Sequence, residues 1–273
     1  MIDTHAHLQF PELLGKIEEI ISESKKAGVT GVIIASSNVS GSKKAVELAD
    51  KYPNFLYASV GIHPQKTDPE NKTSIKDQLL ELESLLSADY GLQQKTIVAI
   101  GETGLDFSSP PPGEENRSIG EQEALFKGQI DLAIKYNLPL IIHARQAIDE
   151  VIEILSYHLK PSTQHLKGVF HCYSGGKKRV SKILELPGEW YFGFDGNLTY
   201  DQGLQATIPL IPQERIVVET DSPYLSPEPY RSQINTPATI PLIVRKISEI
   251  VSKDISREIF NNSKKLFNLQ NVL

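Results

Sequence analysis

Short, β-branched apolar runs alternate along this chain with longer stretches of helical period. The runs are 2-IDTHAH, 31-GVIIAS, 55-FLYASVGIH, 96-TIVAIGE, 139-PLIIHA, 168-GVFHCYS, 190-WYFGFDG and 215-RIVVETD, eight in all. Between them Leu13, Ile17, Ile20 and Ile21 share one helical face, as do Ile75, Leu79, Leu82 and Leu86. Phe126, Ile130, Ala133 and Ile134 repeat the pattern, followed by Ile148, Val151, Ile152 and Leu155. Strand followed by helix, repeated, predicts parallel strands joined by crossover helices. Eight such strands in 273 residues fit a closed (β/α)8 TIM barrel that uses the chain as one domain, 1–273. A doubly wound open sheet is the alternative, but no G-x-G-x-x-G follows any run and 61-GIHP is not a phosphate loop. After the eighth run come the Pro-rich connection 222-SPYLSPEPY and two additional C-terminal helices, near 237–251 and 255–267. The connection 107–119, FSSPPPGEENRSI, is long for a strand-to-helix link and predicts a mobile rim, with no chemistry assigned to it.

A barrel of this kind carries its chemistry at the C-terminal ends of its strands. Of seven histidines, five close a run: His5 and His7 the first, His63 the third, His143 the fifth, His171 the sixth. His158 and His165 precede the sixth run and read as surface residues. Glu102 closes the fourth run and Asp221 the eighth. Residues two apart in a strand point to one face, so His5 and His7 project into one space while Thr4 and Ala6 point away. H-x-H alone is a weak signal; its strength here lies in Glu102, His143, His171 and Asp221 arriving at the same rim from four other strands. Six ligand-type side chains are too many for one tetrahedral ion with an open position. They suffice for two ions sharing Glu102, which would place both beside one substrate oxygen with a water or hydroxide between them. That chemistry is metal-assisted hydrolysis.

Smaller features leave alternatives open. Asp106 is expected either to orient a ligand or bind a cationic group, or to form a turn. Glu219 shares a strand face with Asp221 and is expected to point inward and support a ligand from behind. Cys172, next to His171, should point the opposite way into the core. Arg145 reads either as a contact to a substrate phosphate or as an exposed salt bridge.

Composition narrows the classes. With 40% hydrophobic and 23% charged residues the chain is ordinary for a globular protein. One cysteine excludes an intrachain disulfide framework and a multi-cysteine zinc module. No apolar run is long enough to span a bilayer, and the polar Asp3-Thr4-His5 behind Met1 fits no secretory signal, so the expectation is a cytoplasmic protein with no membrane contact. A net charge of −6 argues against a general nucleic-acid coat. Two divalent ions would bring about +4 to the mouth, and local field outranks net charge there. The expected binding of an anionic substrate there is weak and salt-sensitive.

The motifs 3-DTHAHL, 60-VGIHP, 100-IGETGLDF, 141-IIHAR, 170-FHCYSGG, 196-GNLTY and 217-VVETDSPYL run nearly the whole length. In order and spacing the chain resembles the TatD family of metal-dependent deoxyribonucleases, within the amidohydrolase superfamily. The resemblance implies a barrel that cleaves phosphodiester bonds in DNA with two divalent ions (Mg, Mn or Zn), in the leading reading as a 3′→5′ exonuclease. His5, His7, Glu102 and Asp221 would hold one ion, and Glu102, His143 and His171 the second. Asp221 would also orient or deprotonate the attacking water. His63 would contact the substrate phosphate or a water at the ions, or else support the site from behind. Arg145 and Arg231 are the candidate substrate contacts. Glu102 stands where many superfamily relatives carry a carboxylated lysine, which favours the nuclease branch over dihydroorotase-like enzymes. One segment departs from the family pattern R-G-x-x-N-E-P: this chain reads 231-RSQINTP, keeping Arg231 and Asn235 but carrying Ser232 and Thr236, which bears on substrate preference. D-aminoacyl-tRNA deacylation by the same site is the alternative activity, and a non-catalytic metal-binding scaffold a third reading. DNA strand ends are the expected partner, no obligate protein partner is expected, and the chain is expected to be a monomer or weak oligomer.

Overall fold

Eight parallel strands pair in sequence order around the molecule in the computed structural model, which describes residues 1–66, 74–89, 96–110, 116–160, 163 and 165–269. They are β1 (Ile2–Ala6), β2 (Gly31–Ile34), β3 (Leu56–Val60), β4 (Ile97–Asp106), β5 (Leu140–Arg145), β6 (Lys167–Phe170), β7 (Glu189–Phe194) and β8 (Ile216–Val218). The last strand meets the first through a parallel bridge between Ala6 and Ser222. Two hydrogen bonds seal that seam, from His7 N–H to the Ser222 carbonyl (2.7 Å) and from Asp221 N–H to the His5 carbonyl (2.9 Å). The fold is a (β/α)8 TIM barrel, as the strand–helix alternation predicts.

Helices α1 (Pro11–Leu14), α2 (Ile17–Lys26), α3 (Val39–Lys51), α4 (Ile75–Asp89), α5 (Ile119–Tyr136), α6 (Ile148–His158), α7 (Lys177–Leu184) and α8 (Gln202–Gln205) lie between strands, and α9 (Ile240–Ile250) and α10 (Ser256–Phe267) follow β8. The predicted first helix is two: α1 stops at Gly15, which caps it, and α2 begins two residues on. Helix α5 opens with a reciprocal capping box between Ser118 and Glu121 and closes on Asn137 in the left-handed region. Among the described residues no helix is long and apolar enough to cross a membrane.

Alternation along the strands divides the core in two. Outward residues such as Val32, Ile34, Leu56, Leu140, Phe192 and Val218 pack under the helices. Inward residues Ile33, Tyr57, Val98, Ile141, Val169, Tyr191 and Val217 join Ile2 to fill the barrel, with Leu266 and Phe267 of α10 packed against them. Two residues further along the same inward face, Ile141 gives way to His143 and Val169 to His171. Val217 likewise leads to Glu219 and then Asp221. The apolar plug is thus the floor under a polar mouth.

The structure shifts three boundaries. Strand β4 runs past Glu102 to Asp106, so Glu102 sits within the strand; β3 ends at Val60 and β8 at Val218, leaving His63 and Asp221 in the loops beyond. The centre of the 107–119 connection, residues 111–115, lies outside the described residues. Its flanks are tied down: Asn116 Nδ2 and Gln65 Nε2 both donate to the Ser108 carbonyl, at 2.8 and 2.9 Å. His158 Nε2 lies 2.8 Å from Asp131 Oδ1 at the surface, and His165 is exposed.

Candidate metal centre

All six side chains singled out in the sequence meet at the mouth. His5 and His7 do point to one face, their Nε2 atoms 3.3 Å apart. Asp221 Oδ1 lies 3.5 Å from His5 Nε2 and 3.3 Å from His7 Nε2, forming one lobe. His143 Nδ1 and His171 Nε2 are 3.1 Å apart and form the other. Glu102 stands between. Its Oε1 lies 2.7 Å from His143 Nδ1 and 2.8 Å from His171 Nε2, while its Oε2 faces His5 Nε2 at 3.8 Å.

Local structure sets each side chain's orientation. The Ala35 carbonyl is 2.9 Å from His7 Nδ1, which fixes the proton there and leaves the Nε2 lone pair facing Asp221. Asp106 Oδ2 does the same for His143, 3.0 Å from its Nε2 and opposite the nitrogen that faces Glu102. Asp106 also forms the turn, its Oδ1 accepting from Ser108 N–H at 2.9 Å. Asp221 leaves β8 with φ 53, a left-handed conformation that swings its carboxylate over the mouth. Asn235 clamps that turn, donating to the Thr220 and Tyr224 carbonyls at 2.9 and 2.8 Å.

Glu219 is fully buried behind the centre, accepts from Cys172 N–H, and lies 3.8 Å from His171 Nδ1. Cys172 departs from expectation. Its φ of 44 breaks the strand alternation directly after His171, so the residue lines the mouth and does not pack into the core. His63 accepts at Nδ1 from Gln65 N–H (3.1 Å), which leaves Nε2 as the protonated nitrogen, 3.7 Å from Glu102 Oε1. In that tautomer it is a hydrogen-bond donor toward the mouth.

Burial and charge set the protonation states. Burial opposes charge on His171, but Glu102, Glu219 and Asp221 outweigh it and push the imidazole up to about 9. Burial, then the neighbouring His143, drives His63 down to about 3, so it is neutral. Burial opposes ionisation of Glu102 too, yet His171, His63 and His143 hold it well below the usual carboxylate range. Beneath them burial raises Glu219 to about 8, Asp3 to about 7 and Asp195 to about 6.

The residues fit divalent cations. Neutral imidazoles whose lone pairs face one another at 3.1–3.3 Å repel unless a cation or a proton lies between them, and a carboxylate joins both pairs. His5, His7 and Glu102 present ligand atoms within 4.8 Å of one another, as do His5, His171 and Asp221, and also His63, Glu102 and His143. Imidazole and carboxylate donors suit Zn, Mn and related ions. A cavity of about 740 Å³ opens over the cluster. Arg145 lines it, together with residues the sequence did not single out: Phe10, Lys66, Asn197 and Tyr224. Their loops lie beyond the strands, where no periodicity marks an inward position. Arg231 is placed away from this lining, its guanidinium 4.1 Å above the Tyr200 ring.

A (β/α)8 barrel whose mouth gathers four histidines and two carboxylates this closely defines a metal-dependent hydrolase. The family profile described as TatD related DNase matches residues 2–268, and the chain belongs to that family. It is 31% identical to a 3′-5′ ssDNA/RNA exonuclease TatD of Edwardsiella piscicida, over 98% of this chain and all of that one. It is 34% identical to an uncharacterized metal-dependent hydrolase of Mycoplasma genitalium, covering 97% of this chain and 98% of the relative. The crystal structure of a TatD homologue from Escherichia coli superposes with a TM-score of 0.83 at 27% identity, covering 98% of each chain.

Proposed function

We propose that the protein is a 3′→5′ exonuclease acting on single-stranded DNA ends, with His5, His7, Glu102, His143, His171 and Asp221 holding two divalent ions. The observation that carries this reading is the position of Glu102, one oxygen facing His143 and His171 and the other facing His5. Two ions so held would polarise the scissile phosphoryl group and lower the pKa of the attacking water. The chain's own groups do the rest. Asp221 is the more accessible carboxylate of the two, its side chain 15% exposed against 5% for Glu102, which supports giving it the proton from the water. Neutral His63 donates from Nε2 to a phosphate oxygen, and Arg145, two residues beyond His143, offers a cation in the lining of the mouth. The name of the Edwardsiella relative supports a nucleic-acid substrate. The chain would act as one catalytic unit, in the cytoplasm and without an obligate protein partner.

End-labelled single-stranded DNA incubated with metal-stripped protein, then with Mg, Mn or Zn restored, tests the reading. Stepwise release of nucleotides from the 3′ end is expected, dependent on metal and lost by at least a hundredfold in Asp221→Asn, the scale of a lost general base. No release with any metal sinks it, and release of a D-amino acid from charged tRNA would then move the assignment to ester hydrolysis.

A further inference from the structure

The two walls of the mouth differ in chemistry. On the β1/β8 side, the Phe10 ring lies flat on the His7 imidazole, with centroids 4.6 Å apart and planes 7° apart. Tyr224 meets Phe10 at a steep angle, 70° at 6.4 Å. His7, Phe10 and Tyr224 therefore form a continuous aromatic corner running from the metal cluster to the surface. Tyr224 is 52% exposed, a large apolar area left open to water at the rim. It is also rigidly placed. Its N–H donates to the Asp221 carbonyl at 2.9 Å, and its carbonyl accepts from the buried Asn235. On the other side the lining carries Lys66 and Arg145. Histidines apart, Phe10 and Tyr224 are the only aromatic rings among the described residues of the lining.

We propose that this corner is a nucleobase subsite: the 3′-terminal base stacks on Tyr224 with Phe10 behind it, and the backbone runs toward Arg145. This deepens the exonuclease reading and rests on it. A phosphodiester over the metal cluster has a planar base on one flank and further phosphates on the other. Histidines apart, the aromatic rings among the described residues of the lining stand on one flank and its basic side chains, Arg145 among them, on the other, so the substrate's orientation follows from the wall chemistry. Stacking accepts any base, because every base has a π-face, and it requires an unpaired one. The subsite thus selects single-stranded or frayed ends without reading sequence, which suits a chain of net charge −6 that cannot hold long duplex by phosphate contacts.

Binding without turnover separates the subsite from the chemistry. A single-stranded oligonucleotide with 2-aminopurine as its 3′-terminal base is titrated with Mn-loaded Asp221→Asn protein, and with the same protein carrying Tyr224→Leu or Tyr224→Trp. We expect the fluorophore to be quenched on binding, affinity to fall about tenfold in the Leu variant, the size of one lost base–aromatic stack, and Trp to restore both. In the protein with Asp221 intact, Tyr224→Leu should raise KM about tenfold with metal affinity unchanged. An oligonucleotide ending in an abasic site should bind parent and Leu variant equally. Equal affinity and quenching in the Tyr and Leu proteins overturn the subsite even where nucleotides are released. Quenching lost in the Leu variant but no nucleotide release by the parent keeps the subsite and overturns only the nuclease chemistry.

Discussion

Among the described residues Asp106 meets the six-residue cluster at His143, and it governs how that imidazole is presented. One of its oxygens lies 3.0 Å from His143 Nε2 and the other accepts from Ser108 N–H and Oγ, so both are committed. A carboxylate behind an imidazole keeps the proton on the far nitrogen and the lone pair aimed forward, here toward Glu102 and His171. An asparagine has a single acceptor oxygen and cannot serve both Ser108 and His143. We expect Asp106→Asn to weaken divalent-metal binding roughly ten- to hundredfold, measured by calorimetric titration of metal-stripped protein. Affinity equal to that of the parent would show that packing alone orients the ring. The H-x-H pair at residues 5 and 7 was readable from strand alternation, although β1 shifts register between Asp3 and Ala6 and Thr4, expected to point away, reaches the buried Glu219 with its hydroxyl. The tautomers of His7, His63 and His143 were not, because each is set by a partner from another element: Ala35, Gln65 and Asp106.

At the scale of elements, the strand–helix alternation announced the barrel, and the departures sit where the backbone leaves ordinary conformations. Cys172 and Asp221 both take positive φ in the loops that leave β6 and β8, and a sequence pattern of period two cannot foresee that break. The extension of β4 through Glu102 to Asp106 has a steric basis at Gly104. There φ is +137, and a Cβ would lie 2.0 Å from the His143 carbonyl oxygen. Any side chain would push β4 and β5 apart at the rung that carries His143. Gly104→Ala should therefore destabilise the fold by about 1–3 kcal/mol, the usual scale of overpacking, and lower metal affinity as well. Thermal unfolding and metal titration read the two effects. A variant with full stability and full affinity would mean that the two strands do not need this close approach.

For the whole molecule, the centre is a concentration of buried charge that folding alone does not neutralise. Without a cation, His171 has its pKa raised to about 9 from an ordinary 6.5, so the stability it contributes is complete below about 6.5 and lost as pH rises through 9. Glu219 is raised to about 8 from 4.5 and Asp3 to about 7 from 3.8, by burial in both cases. The unfolded chain ionises these acids first, so stability falls between their unfolded and folded pKa values as pH rises. All three contributions have the same sign between pH 6.5 and 7, and His171 and Glu219 continue it up to about 8. Metal-stripped protein should therefore melt at progressively lower temperature from pH 6.5 to 9. A divalent ion held there would replace the proton on His171 and offset the carboxylates beneath, so binding should release protons and strengthen over the same range. At a hundredfold excess over Kd the ion adds about 2.7 kcal/mol, or roughly 5–10 °C in Tm for a chain of this size. The gap between loaded and stripped Tm is expected to widen with pH. Scanning calorimetry of both forms at pH 6.5, 7.5 and 8.5 measures it, and a gap constant across that series would mean that His171 is not the group the metal displaces a proton from.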